Sequence, residues 1–237
     1  MSHVALAHAQ VHRAHERIRR TTAERQAELD REAAAQLRGL PYPRYYLAFA
    51  TVAPAEPLWT GTSPYQPLPF QWSCHIENEE GNARHAGFLD PSGEAPMASL
   101  VGHLLAILGD VGPVFTYTRF PELVILDLAE MFPNLADRLT LIIDRLIDLR
   151  AIAQAHYFHL SPKGTWTLRG LLPTVAPDLA GAELDEVQAD ADAARAYLDV
   201  IDATIASERR QQLIGALRAY CKRETLALMR LARFLQR

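Results

Sequence analysis

The chain has 237 residues, of which 49% are hydrophobic and 22% are charged, and its formal net charge is −4. This length can bury one complete core, or one core with an appendage. The mild acidity excludes binding to nucleic acid through overall charge, so any such binding must come from a local basic patch. The sequence has no apolar run of membrane-spanning length and no signal-peptide core, so we expect a cytoplasmic protein without membrane contacts. Cys74 and Cys221 fit no zinc pattern, so we expect both to be reduced, buried thiols.

Residues 2–38 predict a helix, because they are rich in Ala, Arg, Gln and Glu and contain no Pro or Gly. Their apolar stripe is thin, which favours an arm that lies across another surface over a core helix. Gly39 and the prolines that follow it end this helix, so we predict that residues 1–39 form a helical arm or connector. Three histidines share one face of the arm and indicate either a solvated face or a metal-binding segment: His8, His12 and His15.

The stretch Arg44–Val52 predicts a strand that is buried on at least one face. It is rich in aromatic and β-branched residues, and no charged residue follows Arg44. Ala48 and Ala50 alternate with bulkier neighbours, so one face of this strand is bulky and the other is bare. We expect the bare face to be covered either by a closely packed helix or by a functional site.

The remaining elements are predicted from apolar periodicity and from breaker residues. Strands are predicted at residues 70–77, 83–89 and 112–118, and helices at residues 97–109, 121–132, 134–149, 184–201 and 208–235. A loop with five prolines covers residues 53–69, and short extended pieces are predicted at residues 157–159 and 165–167. This order predicts an α/β protein with a ribonuclease H-like mixed sheet and flanking helices. Three strands form an antiparallel meander, and the fourth lies parallel beside the central first strand.

Several stretches resemble a bacterial family of unknown function within the ribonuclease H-like DEDD 3′–5′ exonucleases. They cover nearly everything from residue 40 to the C-terminus, so residues 40–237 are predicted to form one exonuclease-type domain. In that family the first strand reads Leu-Asp-Phe-Glu-Thr, whereas this chain reads Leu-Ala-Phe-Ala-Thr at Leu47–Thr51. The resembling stretches are Pro41–Leu47, Pro69–Glu77, Arg145–Leu149, Gly164–Leu168 and Ala219–Met229.

The resemblance implies two Mg²⁺ or Mn²⁺ ions held by four carboxylates, which activate water and stabilise the departing 3′ oxygen. Acids at i and i+2 of a central strand project to one face, which is how one short motif serves both ions. Alanine offers no oxygen, so we expect metal binding and catalysis to be weak or absent here. The implied catalytic positions are Ala48, Ala50, Glu122, Asp148, Tyr220 and Glu224, of which Glu122, Asp148 and Glu224 remain as metal ligands.

The other motifs of this family are also altered in the chain. Pro121 precedes Glu122 in the second motif, and Glu224 stands where a Tyr-x-x-x-Asp motif would place the shorter Asp. Asp148 matches an acid that is either a ligand or a neighbour of the ligands. The paired alanines are explained either by deliberate replacement or by natural loss, and the further departures favour natural loss.

Two functions follow from the resemblance. The first is a nucleic-acid-processing domain of the metal-dependent 3′–5′ exonuclease type, inactive as written, that acts on single-stranded DNA or RNA. The alternative is a non-catalytic module that binds nucleic acid or a protein partner, or that self-associates through the N-terminal arm. Aromatic and polar or basic residues in two loops are candidates for stacking a base and holding a phosphate, although Trp166 would equally suit a loop anchor. These candidates are Lys163, Trp166, Arg169, Tyr65 and Gln66.

Overall fold

The computed structural model describes Arg19 and residues 28–158, 166–180 and 186–237. Seven strands are present in these ranges, and they form one five-stranded sheet and one two-stranded sheet. The strands are β1 (Glu28–Leu29), β2 (Arg44–Val52), β3 (Leu68–Glu77), β4 (Ala83–Leu89), β5 (Val114–Thr116), β6 (Leu146–Asp148) and β7 (Tyr157–Phe158).

The five-stranded sheet has the order β4-β3-β2-β5-β6, so β2 is its central strand. β2, β3 and β4 pair antiparallel, whereas β5 pairs parallel with both β2 and β6. The mixed α/β class that the sequence predicts is therefore confirmed. A bulge between Ala50 and Thr51 shifts the register with β3, so Thr51 lies opposite Pro69. The predicted proline-rich loop consequently ends slightly earlier, because Leu68 and Pro69 already belong to β3.

Nine helices of the described residues flank these strands. Nothing in the described ranges is both long and apolar enough to serve as a membrane-crossing helix. The helices are α1 (Arg31–Arg38), α2 (Met97–Ile107), α3 (Phe120–Met131), α4 (Ala136–Ile143), α5 (Leu149–His156), α6 (Leu168–Val175), α7 (Pro177–Ala180), α8 (Asp190–Ile201) and α9 (Ser207–Leu235), and a single 3-10 turn (Pro133–Leu135) joins α3 to α4.

Three predicted helices differ from the structure. The predicted helix at residues 134–149 ends at Ile143, because Leu146–Asp148 pairs with β5 as strand β6. The predicted helix at residues 2–38 is interrupted by β1, which pairs with β7. Residues 1–18 and 20–27 lie outside the described residues, and so do the three arm histidines. The helix predicted from residue 184 begins at Asp190.

The two faces of the sheet belong to two cores. Tyr45, Leu47 and Phe49 of β2 lie in a core with residues of α2, α3, α8 and the first half of α9. Tyr46 points to the opposite face, where it stacks on Phe115 with ring centroids 5.2 Å apart. That second core includes α1, α5, α6 and the end of α9. The sheet is thus covered on both sides, and α9 contributes to both cores.

The last helix is fixed to the sheet by buried polar contacts. The side-chain amide of Gln71 donates to the carbonyl of Leu217 at 3.0 Å. About two turns further on, the hydroxyl of Thr225 lies 3.0 Å from Ser73 Oγ and 2.8 Å from His75 Nδ1. Because a buried polar group without a partner is costly, these contacts define where α9 crosses β3.

Candidate functional site

The carboxyl ends of the three parallel strands bring several of the predicted site residues to one end of the sheet. Tyr46 pairs with Phe115, Phe115 pairs with Ile147, and Thr116 pairs with Asp148. Ala48 follows Tyr46 by two residues, and Tyr117 follows Phe115 by two residues. In open α/β sheets ligands bind beyond the carboxyl ends of the strands, so this end is the candidate site.

The bare face of β2 is occupied by α9. The thiol of Cys221 lies 3.9 Å from the carbonyl oxygen of Ala48. Ala50 is only 4% exposed and shares its core with Leu217 and Tyr220. Both cysteines are buried and unpaired, as predicted. Of the two expected occupants of the bare face, the closely packed helix is the one observed, and it carries Tyr220 and Glu224 with it.

Tyr220 and Glu224 lie one turn apart on α9 and meet an acid that the sequence does not single out. The Tyr220 hydroxyl donates to Asp190 Oδ1 at 2.8 Å. Asp190 is the first residue of α8, and the carboxylate of Asp192 accepts from the backbone N–H of Ala189 at 3.1 Å, which fixes the start of that helix. We call Asp190, Tyr220 and Glu224 the Tyr220 cluster.

The electrostatics of this cluster disfavour further negative charge. Burial, and after it the negative charge of Asp190, raise the pKa of the Glu224 carboxyl to about 7, although Arg223 and Arg169 oppose both effects. Burial, followed by Glu224 and Asp190, also raises the pKa of Tyr220. The Tyr220 phenol therefore stays protonated at neutral pH, and the Glu224 carboxyl is protonated in about half of the molecules near pH 7.

Tyr117, two residues beyond Phe115 of β5, is influenced by acids of both parts of this end of the sheet. Its hydroxyl donates to the backbone carbonyl of Trp166 at 2.8 Å. Burial raises the pKa of Tyr117, and both Asp148 and Glu224 add to that effect whereas Arg150 opposes it. Asp148 and Glu224 therefore both lie within electrostatic range of one phenol, at the same end of the sheet.

Glu122 and Asp148 line one small cavity, but both oxygens of Glu122 and one oxygen of Asp148 already have partners. The cavity has a volume of about 130 Å³ and includes Arg119. Asp148 accepts from the backbone N–H groups of Arg150 and Ala151 at 2.8 and 3.2 Å, so it caps α5. Glu122 accepts two hydrogen bonds from Arg119, and this contact lowers the pKa of its carboxyl.

The residues present do not fit a two-metal centre with four carboxylates. Two of the implied ligand positions are Ala48 and Ala50, which carry no oxygen on their side chains. Within the described ranges, a single group brings three candidate metal-binding atoms within 4.8 Å of one another. That group is Asp30, Glu32 and His156, at the start of α1 and the end of α5, and it contains none of the predicted ligands Glu122, Asp148 and Glu224.

The predicted nucleic-acid contacts fall in different places. Arg169 lies near Glu224, and it donates to the carbonyl of Gln188 at 3.0 Å. Trp166 packs partly buried against the second core, next to Tyr117. Tyr65 is 72% exposed on the β2–β3 loop, and the side chain of Gln66 accepts from the backbone N–H of Ser63 on the same loop. No hydrogen bond of the described structure joins that loop to the Tyr220 cluster, and Lys163 lies outside the described residues.

Sequence reasoning missed Asp190, and the reason is local. Asp190 begins an Ala- and Asp-rich helix, where acidic residues in the first turn are expected simply because they favour the helix dipole. Only the tertiary contact with Tyr220, thirty positions further on, distinguishes Asp190 from its neighbour Asp192.

The family described as a domain of unknown function (DUF2779) matches residues 45–167, which is slightly more than half of the chain. The match begins in β2 and spans the rest of the five-stranded sheet. It leaves out α8 and α9, and with them the whole Tyr220 cluster. No curated protein and no solved structure matches the chain.

Proposed function

The chain belongs to the DUF2779 family of domains of unknown function, and we propose that it is a catalytically inactive domain of the ribonuclease H-like exonuclease type that binds single-stranded nucleic acid. The sheet order supports this proposal, since a three-stranded meander continues through a central first strand into parallel strands. The helix with the Tyr-x-x-x-acid motif packs on that central strand, as an exonuclease-type site requires.

The observation that carries the proposal is the pair of alanines on β2. Ala48 and Ala50 lie on the strand that α9 covers, at the end of the sheet where Tyr220 and Glu224 are held. In the resembling exonucleases these two positions supply the carboxylates on which both metal ions depend. With neither carboxylate present, the surrounding residues keep their arrangement but lack the means to bind two divalent ions.

The remaining groups suit binding of a strand better than its hydrolysis. Arg169 lies near Glu224 and Trp166 lies next to Tyr117, and a cation combined with an aromatic ring is how single strands are held without sequence preference. A carboxyl with a pKa of about 7 is neutral in part of the molecules, so Glu224 repels a phosphate less than an ordinary glutamate does. No magnesium or manganese ion is needed for this role.

Restoring the two acids tests the proposal. The double variant Ala48→Asp/Ala50→Glu is incubated with a 3′-labelled single strand and manganese, and the unmodified chain serves as the reference. We expect both proteins to bind the strand, and only the variant to shorten it from the 3′ end. Ala50 is 4% exposed whereas Ala48 is half-buried, so the single variant Ala48→Asp is measured as well in case the larger glutamate disturbs folding.

Binding of a single strand by the unmodified chain tests the proposed binding role separately from the proposed exonuclease-type arrangement. Contacts to phosphates make the affinity for a single strand fall steeply with salt. We expect Arg169→Gln to weaken this binding, whereas Arg195→Gln, which removes another exposed arginine, from α8, should not. Absence of salt-dependent binding would contradict the assigned role. Binding without any shortening by a folded double variant would instead favour a module that never had the exonuclease arrangement.

A further inference from the structure

Three side chains that can bind a metal ion meet where β1 joins β7, and none of them belongs to the Tyr220 cluster. Asp30 precedes α1, Glu32 lies in the first turn of α1, and His156 is the last residue of α5. The backbone N–H of Asp30 donates to the carbonyl of His156 at 2.8 Å, which continues the pairing of β1 with β7. One ligand atom of each side chain lies within 4.8 Å of the other two. The backbone pairing thus brings together groups that are far apart in sequence.

The two oxygens of Asp30 face different partners. Oδ1 accepts from the backbone N–H of Glu32 at 3.1 Å and so caps α1. Oδ2 lies 4.0 Å from Nδ1 of His156. The side chains of Asp30 and His156 are 17% and 11% exposed, whereas Glu32 is open to solvent. The helix dipole accounts for two acids at the start of α1, but it does not account for the imidazole from α5 that faces them.

Gln36 contacts the other ring nitrogen of His156. It follows Glu32 by one turn of α1, and its Nε2 lies 3.1 Å from His156 Nε2. The ring nitrogen either accepts from this amide or, once the amide is turned over, donates to its oxygen. In the second arrangement Nδ1 presents a lone pair to Asp30 and Glu32, which is favourable only when a cation lies between them. Histidines that bind metals typically have their second nitrogen held in this way.

Two carboxylates and one imidazole favour a divalent ion of the zinc type. Imidazole suits Zn²⁺ and similar transition metals, whereas Mg²⁺ and Ca²⁺ prefer oxygen ligands. Zinc binds nitrogen and oxygen at about 2.0–2.2 Å, so two ligand atoms of a tetrahedral ion lie about 3.4 Å apart. The 4.0 Å between His156 Nδ1 and Asp30 Oδ2 must therefore shorten by about 0.6 Å. Small rotations of the two side chains within their rotamer wells give such a change.

We propose that Asp30, Glu32 and His156 bind one Zn²⁺ ion, with water completing its coordination. The ion joins the start of α1 to the end of α5, so it holds residues 28–38 onto the rest of the domain. None of the three residues is a ligand that the resemblance to exonucleases implies. The site therefore stands whether or not the Tyr220 cluster binds single strands.

Zinc titration of the full chain tests the proposal. His8, His12 and His15 offer a competing site in the sequence, so all three are replaced by Gln in the reference protein. We expect calorimetry of this protein to show one Zn²⁺ per chain, bound at least about tenfold more tightly than Mg²⁺. Zinc should also raise the unfolding temperature, because an ion that binds only the folded state stabilises it. Equal affinities for the two ions, or no binding of zinc, would overturn the assignment.

Single substitutions in the reference protein locate the ion. Asp30→Asn keeps a capping side chain and loses the charge, and Glu32→Gln and His156→Gln remove the other two ligands. Each should weaken zinc binding by at least about tenfold, since even the partners of metal ligands contribute this much. Asp137→Asn removes an acid from the first turn of α4, and His103→Gln removes an exposed histidine of α2. Both controls should leave the affinity unchanged, and losses equal to those of the ligand variants would show non-specific binding instead of a site.

Two replacements of Gln36 test its orienting role. Gln36→Ala should weaken zinc binding by about tenfold, because the ring of His156 loses its partner. Gln36→Glu offers only acceptors to Nε2, which is what a ring that binds zinc through Nδ1 requires, so it should preserve the affinity. If Gln36→Glu binds zinc as weakly as Gln36→Ala does, the ring does not present Nδ1 to the ion and the proposed site is wrong.

Hydrogen exchange shows where the ion acts. Zinc should slow the exchange of backbone amides in residues 28–38 and 149–158, and Asp30→Asn should remove this protection. Protection confined to other segments would contradict the site. Arg169→Gln, which tests single-strand binding, should change none of these results, so failure of this proposal is distinguishable from failure of the proposed function.

Discussion

The ionisation of Glu224 shows how strongly a single residue depends on its surroundings here. Its carboxyl is half-buried on α9 and near the negative charge of Asp190, so its pKa is raised to about 7. An exposed glutamate in an unfolded chain has a pKa of about 4.3. The unfolded state therefore loses this proton at a lower pH than the folded state does. The contribution of the neutral carboxyl to folding stability is fully present below a pH of about 4.3, the pKa in the unfolded chain. This contribution is lost as the pH rises through about 7, the pKa in the folded protein.

We predict that Glu224→Gln stabilises the protein more at pH 8 than at pH 5. The amide keeps the shape of the protonated carboxyl but never ionises, so it avoids the cost of a buried charge above pH 7. The expected gain in the free energy of unfolding is about 2 kcal/mol at pH 8. Urea unfolding followed by circular dichroism at the two pH values measures the difference.

The matched control for this prediction is Glu208→Gln. Glu208 is the other glutamate of α9, and it is exposed in the first turn. Its replacement should cost a few tenths of a kcal/mol through the helix dipole, equally at both pH values. A gain for Glu224→Gln that is the same at pH 5 and pH 8 would refute the role of its ionisation.

Single residues also show where sequence reasoning reaches its limit. Tyr220 and Glu224 can be chosen because they resemble a Tyr-x-x-x-Asp motif, and Ala48 from its place in an interrupted motif. Asp190 cannot, because its role comes from a contact with a residue thirty positions away. Asp148 can be recognised as an acid at a special position, but only the structure shows that its oxygens cap α5.

At the scale of elements, strong local patterns predict well and short ones do not. Arg44–Val52 and Ala83–Leu89 have the predicted bounds, because aromatic and β-branched residues with clear breakers define them. Leu146–Asp148 continues a helical apolar spacing and still forms a strand, because pairing with β5 satisfies its backbone. For three residues, tertiary pairing outweighs local propensity.

Helix α9 depends on the small side chains of β2 for its position. Ala50 is 4% exposed and lies in the core that includes Leu217 and Tyr220. We predict that Ala50→Leu destabilises the protein by about 2 kcal/mol, because the added carbons have no space between the strand and the helix. Thermal unfolding measured by calorimetry gives the change.

Ala83→Leu is the comparison for this substitution. Ala83 lies in a strand of the same sheet, but on its exposed edge in β4. The same added volume should change the free energy of unfolding there by less than about 0.5 kcal/mol. Equal effects at the two positions would mean that α9 does not pack closely on β2 in solution.

At the scale of the whole molecule, Arg44 connects parts of the chain that are far apart in sequence. Its guanidinium is 1% exposed and donates to the carbonyls of Leu37 and Leu40, each at 2.9 Å. It also donates to the side chain of Gln236 at 2.8 Å. One buried cation thus joins the end of α1, the start of β2 and the last residues of the chain. Removing one partner of such a group leaves it unsatisfied, so these three parts stabilise one another.

The hydrogen bonds from Arg44 to the end of α1 indicate that α1 is part of the domain. The thin apolar stripe of residues 2–38 predicts an arm, yet Ala33 and Leu37 of α1 are fully buried in the second core. The buried residues of α1 are Ala33, Ala34 and Leu37, and two of these three are small alanines. Periodicity over a long window averages out such a short buried face.

We predict that Leu37→Ala destabilises the whole protein by about 3 kcal/mol and keeps a single unfolding transition. A cavity in the second core costs this much when its surroundings do not collapse. Because α9 contributes to both cores, loss of packing in one should lower the stability of the other. Urea unfolding followed by both circular dichroism and tryptophan fluorescence tests this, since Trp72 reports on the first core and Trp166 packs against the second. Leu58→Ala, at a position 43% exposed, should change the midpoint little. Two separated transitions in Leu37→Ala, or an unchanged midpoint, would show that α1 is an appendage and not part of the domain.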